Sequence, residues 1–505
     1  MEEALTIETP RPGAAAVSGP AVELSPADIK RIIVGVILAM MLGALDQTIV
    51  ATALPSIGDD LGDVIHLPWV VTAYLLSGTV ATPLYGKLAD IVGRRKVVLA
   101  AIAIFVLSSI VAALSRTMWL LIFARFLQGA GGGGLIALGQ TVIGDVIAPR
   151  ERGRYMVYFA FVFMTASIAG PVLGGVLSEH LHWSFIFWIN LPLGGIAFFI
   201  SGGILKRLPR HERPHKIDWI GALLMVAASG SLMLSLSWGG DEYPWASPQV
   251  IGLLVASLVL WLLFTGRLLT APEPFVPLAV MFNSVVANAT LSNFFIVGCS
   301  VALTIYLPIY FQAALHLTAS QSGLALMPFV AGSVIGAQLS GRAMTYFTHY
   351  KRTPVAGVGI SIIATAILAA ACPHLTLLPV EILLGIIGVS FGTIFPVTTV
   401  SVQNAVQPHQ LGTTTATYNF FRSLGGAVLV AALGAILIGG LGVGGEHIGS
   451  LEQMVAEAAR RGTAVAPVFS MVFAASAVVQ AIGYVFLIAM KEVPLRTTRA
   501  EGAKR

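Results

Sequence analysis

Charged residues are scarce in this chain of 505 residues: Asp, Glu, Lys and Arg together make up 10% of it. A soluble globular protein carries about 25% charged residues. Hydrophobic residues reach 56%, and the mean hydropathy is +0.86. This composition excludes a water-soluble enzyme, a nucleic-acid-binding protein and a disordered chain. The chain must therefore lie in a lipid bilayer, and its net charge of +5 is what basic cytoplasmic loops of a membrane protein produce.

Residues that hold metals and cofactors are scarce as well. The two cysteines, Cys299 and Cys372, lie in apolar stretches and match no metal-ligand spacing. The chain has no phosphate-binding GxxxxGKS or GxxxxGKT, no HExxH, and no Ser, His and Asp set that can be assembled. The sequence therefore predicts no metal, no cofactor, no use of ATP and no enzymatic activity.

The chain contains many long apolar segments. A helix crosses a bilayer with about 20 apolar residues. The sequence predicts an all-α integral membrane protein of fourteen transmembrane helices, near 31–54, 68–88, 96–114, 118–144, 155–178, 185–205, 218–238, 249–267, 287–311, 321–341, 354–372, 377–400, 411–440 and 466–490.

The predicted spans divide into two groups of six, separated by an inserted pair. The expected segments are a disordered cytoplasmic tail (1–28), an N-terminal six-helix bundle (29–205), a basic loop and two-helix hairpin (206–268), a Pro-rich connector (269–286), a C-terminal six-helix bundle (287–490) and a cytoplasmic tail (491–505). The glycine and arginine after span 2 recur after span 10, at Gly341 and Arg342. Internal repeats of this kind are typical of secondary transporters.

The basic residues predict the orientation. Of the 29 Lys and Arg residues, 24 fall in the tails and loops on one side of the predicted spans and three on the other. Cytoplasmic loops carry the excess of Lys and Arg, so both termini are expected in the cytoplasm of a multi-pass cell-membrane protein. The remaining two, Arg125 and Arg422, fall inside spans.

A carboxylate in span 1 is the first candidate site residue. Asp46 costs about 2.5–3.5 kcal/mol in the bilayer, so a proton-binding or bundle-facing role is expected. At 1.5 Å per residue, Asp46 and Arg125 both lie about 10–12 Å below the outer ends of their spans. The pair is predicted to couple proton binding to transport, and a purely structural ion pair is the alternative. Asp145 and Glu381, near span ends, are further candidate acids.

Polar and aromatic residues inside other spans are candidates for a substrate cavity. Arg422 carries the same cost in lipid as Asp46, and its neighbours face either a cavity or other helices. The candidate set comprises Trp69, Tyr74, Tyr306, Phe311, Gln312, Tyr418, Asn419 and Arg422. The alternative for each aromatic residue is a place in the core or at the membrane interface.

Two glycine-containing motifs indicate close contacts between helices. In the loop GKLADIVGRRK (86–96), Gly86 and Gly93 permit a tight turn, while Asp90 can cap a helix or pair with a basic group such as Arg94. This loop is predicted to act as a conformational latch. In span 5, small residues and a proline allow close packing or bending, at Gly170, Pro171, Gly174 and Gly175.

Together these motifs resemble the major facilitator superfamily, specifically its fourteen-span drug:proton antiporters of the EmrB/QacA type. The resemblance extends from about 31 to 490 and rests on four motifs in the expected order: LDQTIVATALPSI (45–57), the 86–96 loop, RFLQGAGGG (125–133) and GPVLGG (170–175). It implies the major facilitator fold, a proton role for Asp46 and Arg125, a latch at Asp90 and Arg94, and an antiporter motif in span 5.

The function implied is proton-coupled multidrug efflux of lipophilic, often cationic compounds by alternating access. The alternative is a dedicated exporter of one metabolite, antibiotic, siderophore or lipid. Expected partners are small molecules, protons and the bilayer, with a periplasmic adaptor where the host has an outer membrane. Three residues depart from the family pattern: Ser184 replaces an arginine, Phe185 a tryptophan, and Thr345 the acid of the second latch.

Overall fold

The computed structural model describes residues 25–63, 66–207, 218–240, 243–441, 455, 460 and 464–496. Its helices are α1 (Pro26–Leu61), α2 (Trp69–Val92), α3 (Arg94–Ala113), α4 (Met118–Val146), α5 (Pro149–His180), α6 (Phe185–Trp188), α7 (Asn190–Ile204), α8 (Trp219–Trp238), α9 (Pro248–Thr270), α10 (Leu278–Met281), α11 (Ser284–Ala314), α12 (Ala319–Ala325), α13 (Met327–Tyr346), α14 (Arg352–Ala371), α15 (Leu377–Gly392), α16 (Ile394–Asn404), α17 (Leu411–Leu441) and α18 (Val465–Ala489). The all-α fold expected from composition is confirmed.

Thirteen helical segments within the described residues are long and apolar enough to cross a membrane. Three of them are broken helices, formed by α6 with α7, α12 with α13, and α15 with α16. The predicted span absent from these thirteen is the second, 68–88, which corresponds to α2; this helix has 24 residues but is less apolar than the thirteen. Its polar residues include Thr72, Thr79 and Thr82, which line an internal cavity. These threonines contribute to the weaker hydropathy of α2.

Several helix ends differ from the predicted boundaries because polar residues cap them. Ser25 accepts a hydrogen bond from the backbone N–H of Asp28, so α1 begins at Pro26 and residues 26–28 belong to its first turn rather than to a tail. Asn283 caps α11 in the same way, which moves the start of the C-terminal bundle to Ser284. The rest of the N-terminal tail, the basic loop 208–217, most of 442–463 and the end of the C-terminal tail lie outside the described residues.

Buried apolar residues form one large cluster in the C-terminal half, which joins α11 to α18, and two clusters mainly in the N-terminal half. One of these two also includes Met344 of α13 and Val397 and Val400 of α16, so it extends across the contact between the halves. A small fourth cluster lies between α8 and α9 of the hairpin and includes Phe264 and Phe275, with Leu84 of α2 packed against it. Large apolar side chains such as Leu107, Phe199 and Leu262 are exposed on the outer faces of the helices, as expected for surfaces in contact with lipid.

The two halves meet along two pairs of helices, α2 with α17 and α5 with α13. Helix α8 of the hairpin packs against both α2 and α17. The hairpin therefore covers one of the two seams between the bundles, and a cavity lies between the bundles behind it.

Candidate functional site

The structure brings Asp46 and Arg125 into direct contact inside the N-terminal bundle. Arg125 Nη1 lies 2.5 Å from Asp46 Oδ2, and the two side chains are 1% and 0% exposed, respectively. The guanidinium also donates through Nε to the carbonyl oxygen of Val70 at 3.0 Å. Asp46 of α1 and Arg125 of α4, which were predicted to lie at the same depth, thus form a buried ion pair.

Three polar residues that the sequence analysis did not select complete this network. Gln128 Nε2 donates to Asp46 Oδ1 at 2.8 Å, and Asn190 Nδ2 donates to the same oxygen at 3.2 Å. Both amides also donate to Ser109 Oγ, at 2.7 and 3.3 Å. Gln128 could have been found, because it lies one turn after Arg125 on the same face of α4. The only sign of Asn190 in the sequence was its place in the IN-x-P pattern of span 6.

Glycines in α4 allow the close approach of α2 that places Tyr74 beside Arg125. A Cβ atom at Gly133 would overlap the backbone of Gly78, and one at Gly129 would overlap the backbone of Tyr74. The run of glycines in α4 therefore lets the backbones of the two helices touch. This close approach brings the ring of Tyr74 within 4.2 Å of the Arg125 Cζ atom.

Tyr74 separates the ion pair from the cavity between the bundles. Its ring contacts Arg125, its hydroxyl donates to the carbonyl oxygen of Gly43 at 3.2 Å, and the residue also lines the cavity. Asp46 and Arg125 do not line the cavity themselves. Tyr74 therefore contacts both the ion pair and the cavity.

The cavity has a volume of about 960 Å³ and a mainly apolar wall, which suits a drug-sized organic molecule. Of the cavity candidates, the wall includes Tyr74, Tyr306, Asn419 and Arg422. The hairpin also contributes to the wall, through residues that include Met233 and Trp245. The sequence analysis missed these hairpin residues, because the hairpin sequence is apolar throughout and does not distinguish residues that face the cavity from residues that face lipid.

The other cavity candidates lie outside the wall. Trp69, at the start of α2, packs edge-on against Trp238 of the hairpin with ring centroids 6.0 Å apart. Tyr418 is buried, and its hydroxyl lies 2.8 Å from Thr398 Oγ1. Phe311 is fully buried in the C-terminal core, and Gln312 follows it near the end of α11. Whether a side chain faces the cavity or another helix depends on the rotation of its helix about the helix axis, which the sequence determines only weakly.

Residues 86–96 were predicted as a loop, but they form the end of α2, the turn at Gly93 and the start of α3. They contact the opposite bundle at the end of the protein that carries Asp90, which we call the basic end. Both oxygens of Asp90 accept hydrogen bonds from the first turn of α17: Oδ1 from the Gly412 N–H at 3.0 Å, and Oδ2 from the Thr413 N–H at 2.6 Å and its hydroxyl at 2.7 Å. Free N–H groups at a helix start favour an anion, so Asp90 caps α17 from the opposite bundle.

Arg94 holds the Asp90 carboxylate in place. Arg94 Nη1 lies 2.5 Å from Asp90 Oδ1, and its Nε lies 2.9 Å from Asp145 Oδ2. Asp145, a candidate coupling acid in the sequence, thus belongs to the latch. Gly93 forms the turn with a φ of 98°, and a Cβ atom at Gly86 would lie 2.5 Å from the Gly412 carbonyl oxygen. Closure at the basic end thus requires a glycine at position 86.

The corresponding contact between α5 and α13 lacks a carboxylate. Gly341 packs directly on the Gly153 backbone, as Gly86 does on Gly412. Thr345, which replaces the acid expected there, bonds through its hydroxyl to Gly341 of its own helix at 3.4 Å, and only its carbonyl oxygen accepts from Arg150, at 3.3 Å. The second latch therefore has no helix-capping charge.

The glycines of the span-5 motif pack α5 against α1 close to the ion pair. A Cβ atom at Gly170 would overlap Thr48, and one at Gly174 would overlap Thr52 and the Ile49 backbone. Gly175 has nothing within 4 Å of its Cβ position, so the expected close packing does not apply to it. Pro171 is exposed on the outer face of α5.

Gly174→Ala and Gly175→Ala form a matched pair of adjacent substitutions. We expect Gly174→Ala to destabilise the protein by about 1–3 kcal/mol, because its methyl group would meet the Ile49 backbone, which cannot move aside alone. Gly175→Ala should leave stability unchanged or slightly improved. Thermal unfolding in detergent micelles measures both, and equal effects of the two variants would contradict the packing described for α1 and α5.

Comparisons with known proteins agree with this architecture. Residues 36–430 match the family described as the Major Facilitator Superfamily. The multidrug transporter protein MdtP of Bacillus subtilis (strain 168) is 34% identical over 408 residues, which cover 80% of this chain and 75% of that protein. The efflux pump dotC of Dothistroma septosporum is also 34% identical over 408 residues, covering 79% of this chain and 69% of the pump.

Two solved structures show the same fold at low identity. A double Trp mutant of XylE aligns with a TM-score of 0.65 and 13% identity, over 94% of this chain and 99% of that chain. The human organic anion transporter MFSD10 aligns with a TM-score of 0.60 and 18% identity, over 92% of this chain and 100% of that chain. From the family match over most of its length and from these relatives, the chain belongs to the major facilitator superfamily of membrane transporters.

Proposed function

We propose that this protein exports lipophilic small molecules from the cell in exchange for protons, with a broad substrate range. The observation that carries the proposal is the buried Asp46–Arg125 pair behind Tyr74, a cavity-lining residue. Two relatives, one named a multidrug transporter and the other an efflux pump, support the same function.

Proton uptake by Asp46 would act on the cavity through Arg125 and Tyr74. A protonated Asp46 no longer balances the charge of Arg125, so the guanidinium must find other partners or shift its position. Any such shift alters the contact with the Tyr74 ring at 4.2 Å and therefore the cavity wall. Proton binding and substrate release are thereby linked through one aromatic side chain.

The proton gradient is an adequate energy source for this exchange. One charge moving across 100 mV provides about 2.3 kcal/mol, and each tenfold concentration step requires about 1.4 kcal/mol. One proton per cycle would sustain roughly a 50-fold gradient of a neutral substrate.

We place the protein in the cell membrane with both termini and the basic end on the cytoplasmic side. The distribution of Lys and Arg supports this orientation. The conformation described here, latched at the basic end, is then the one that is closed to the cytoplasm. In a host with an outer membrane, a periplasmic adaptor would complete the export route.

Transport by purified protein in liposomes tests the proposal. Liposomes with an acidic lumen are diluted into neutral buffer, and uptake is followed for dyes of different charge and shape. We expect several unrelated dyes to accumulate and an uncoupler to abolish accumulation. Dye movement that ignores the pH gradient would contradict proton coupling, and accumulation of one dye alone would identify a dedicated exporter.

A further inference from the structure

The described part of the cavity wall carries one charged residue. Among its described lining residues, Arg422 is the only member of the set Asp, Glu, Lys, Arg and His. The remaining wall consists of apolar residues, glycines and neutral polar groups such as Gln47, Ser300 and Asn419. Among the lining residues that the structure describes, a ligand in this cavity therefore meets one positive group and no negative group.

Arg422 has no charged partner of its own. Within the described residues, its guanidinium forms no ion pair and no hydrogen bond. Its Cζ atom lies 5.2 Å from the ring centroid of Phe395, which also lines the cavity. A guanidinium has five N–H donors in a fixed plane, and these donors match the two oxygens of a carboxylate or sulfonate.

Neighbouring polar groups are already satisfied by one another. Asn419, one turn before Arg422 on α17, donates to Gln140 Oε1 at 2.7 Å and to the Thr415 carbonyl oxygen at 2.8 Å. The Tyr418 hydroxyl bonds to Thr398. Arg422 thus presents unused donors to the cavity where the adjacent side chains do not.

The buried carboxylate of the N-terminal bundle does not neutralise Arg422. Asp46 is fully buried, and its oxygens accept from Arg125, Gln128 and Asn190. Tyr74 separates this network from the cavity. A substrate with a negative group is therefore the component that would balance the charge of Arg422.

We propose that the preferred substrates are lipophilic organic anions whose carboxylate or sulfonate group binds Arg422 while the apolar body lies against the wall. The aromatic rings of Phe395 and Tyr306 provide part of the apolar surface. This assignment rests on the proposed export function and narrows the expectation, drawn from the sequence, of often cationic substrates.

Equilibrium binding of two dyes with a common xanthene ring system tests the assignment without any pH gradient. Fluorescein is anionic at neutral pH, and rhodamine 123 is cationic. Binding of each is measured by fluorescence polarisation to the full-length protein in phosphatidylcholine nanodiscs, with empty nanodiscs as the blank. We expect the wild-type protein to bind fluorescein at least roughly tenfold more tightly than rhodamine 123.

Substitutions of Arg422 test whether this side chain binds the anionic dye. We expect Arg422→Gln to weaken fluorescein binding by roughly 10- to 100-fold, and Arg422→Lys, which keeps the charge, to retain most of it. Arg116→Gln, the same change in an exposed loop, should have no effect. The comparison of the two dyes on the wild-type protein needs no variant, so it stands even where Arg422→Gln fails to fold.

Several results would overturn the assignment. They are tighter binding of rhodamine 123, no binding of either dye, and fluorescein binding that Arg422→Gln leaves unchanged in a folded protein. Transport separates this inference from the proposed function. Arg422-dependent binding of fluorescein without pH-driven transport of fluorescein supports the anion site and contradicts proton-coupled export. If rhodamine 123 alone is transported in response to the pH gradient, proton-coupled export is supported and the anion site is contradicted.

Discussion

Asp46→Asn is expected to abolish proton-driven transport and to destabilise the protein by about 3–5 kcal/mol. Asparagine cannot take up the proton, and it leaves Arg125 as an unpaired cation that is 1% exposed. Substrate counterflow, which requires no proton, should persist because the cavity wall is unchanged. Transport in liposomes, with and without an imposed pH gradient, and thermal unfolding measure the two effects separately.

The double variant Asp46→Asn with Arg125→Gln distinguishes the proton role from a structural one. Removing both charges eliminates the unpaired cation, so stability should recover most of the loss. Proton-driven transport should remain absent. Recovery of transport together with stability would reduce Asp46 to a structural acid, the alternative left open by the sequence. Retained transport in Asp46→Asn and its loss in Glu381→Gln would assign coupling to Glu381.

Gly86→Val is expected to prevent closure of the basic end and so to stop transport. The first added carbon would lie 2.5 Å from the Gly412 carbonyl oxygen and would also overlap Ala416, and both obstacles belong to α17. Backbone overlap of this kind typically costs about 1–3 kcal/mol or more, which is enough to shift the population toward a conformation open at the basic end.

Cysteine labelling measures this shift. Thr79→Cys introduces a thiol into the cavity wall, and the native Cys299 and Cys372 are buried. A membrane-impermeant maleimide added from the basic side should label Thr79→Cys faster when Gly86→Val is present. Gly203→Val, on an exposed face of α7 with nothing within 4 Å, is the control. Equal labelling rates in the two backgrounds would contradict the role assigned to Gly86.

The sequence predicted the helices and the common depth of Asp46 and Arg125, because both follow from counting residues along the chain, whereas the contact between the two side chains is seen only in the structure. Apolar length defines a span, and a rise of 1.5 Å per residue placed Asp46 and Arg125 at one depth. The same rules carry no information about helix rotation. For this reason Trp69, Gln312 and Tyr418 were expected in the cavity wall and lie outside it, whereas hairpin residues in the wall were missed.

The latch was predicted as a motif, but its partners were not. Asp90 was expected to cap a helix or to pair with a basic group, and the structure shows that it does both. The capped helix, α17, starts more than 300 residues later, and only the packing of the two bundles brings Thr413 to Asp90. Asp145 was named only as a further candidate acid, and its contact with Arg94 was not predicted because that contact depends on how α4 packs beside the start of α3.

If the proposed anion site is correct, the charge of Arg422 would also determine the electrical properties of the exchange. If an anion leaves the cell as a proton enters it, the exchange is equivalent to the movement of two positive charges into the cell in each cycle. At 100 mV this corresponds to about 4.6 kcal/mol, or roughly a 2,000-fold gradient, against roughly 50-fold for a neutral substrate. Arg422 would thereby make the transporter strongly electrogenic, so that the membrane potential by itself could drive export when the pH gradient is zero.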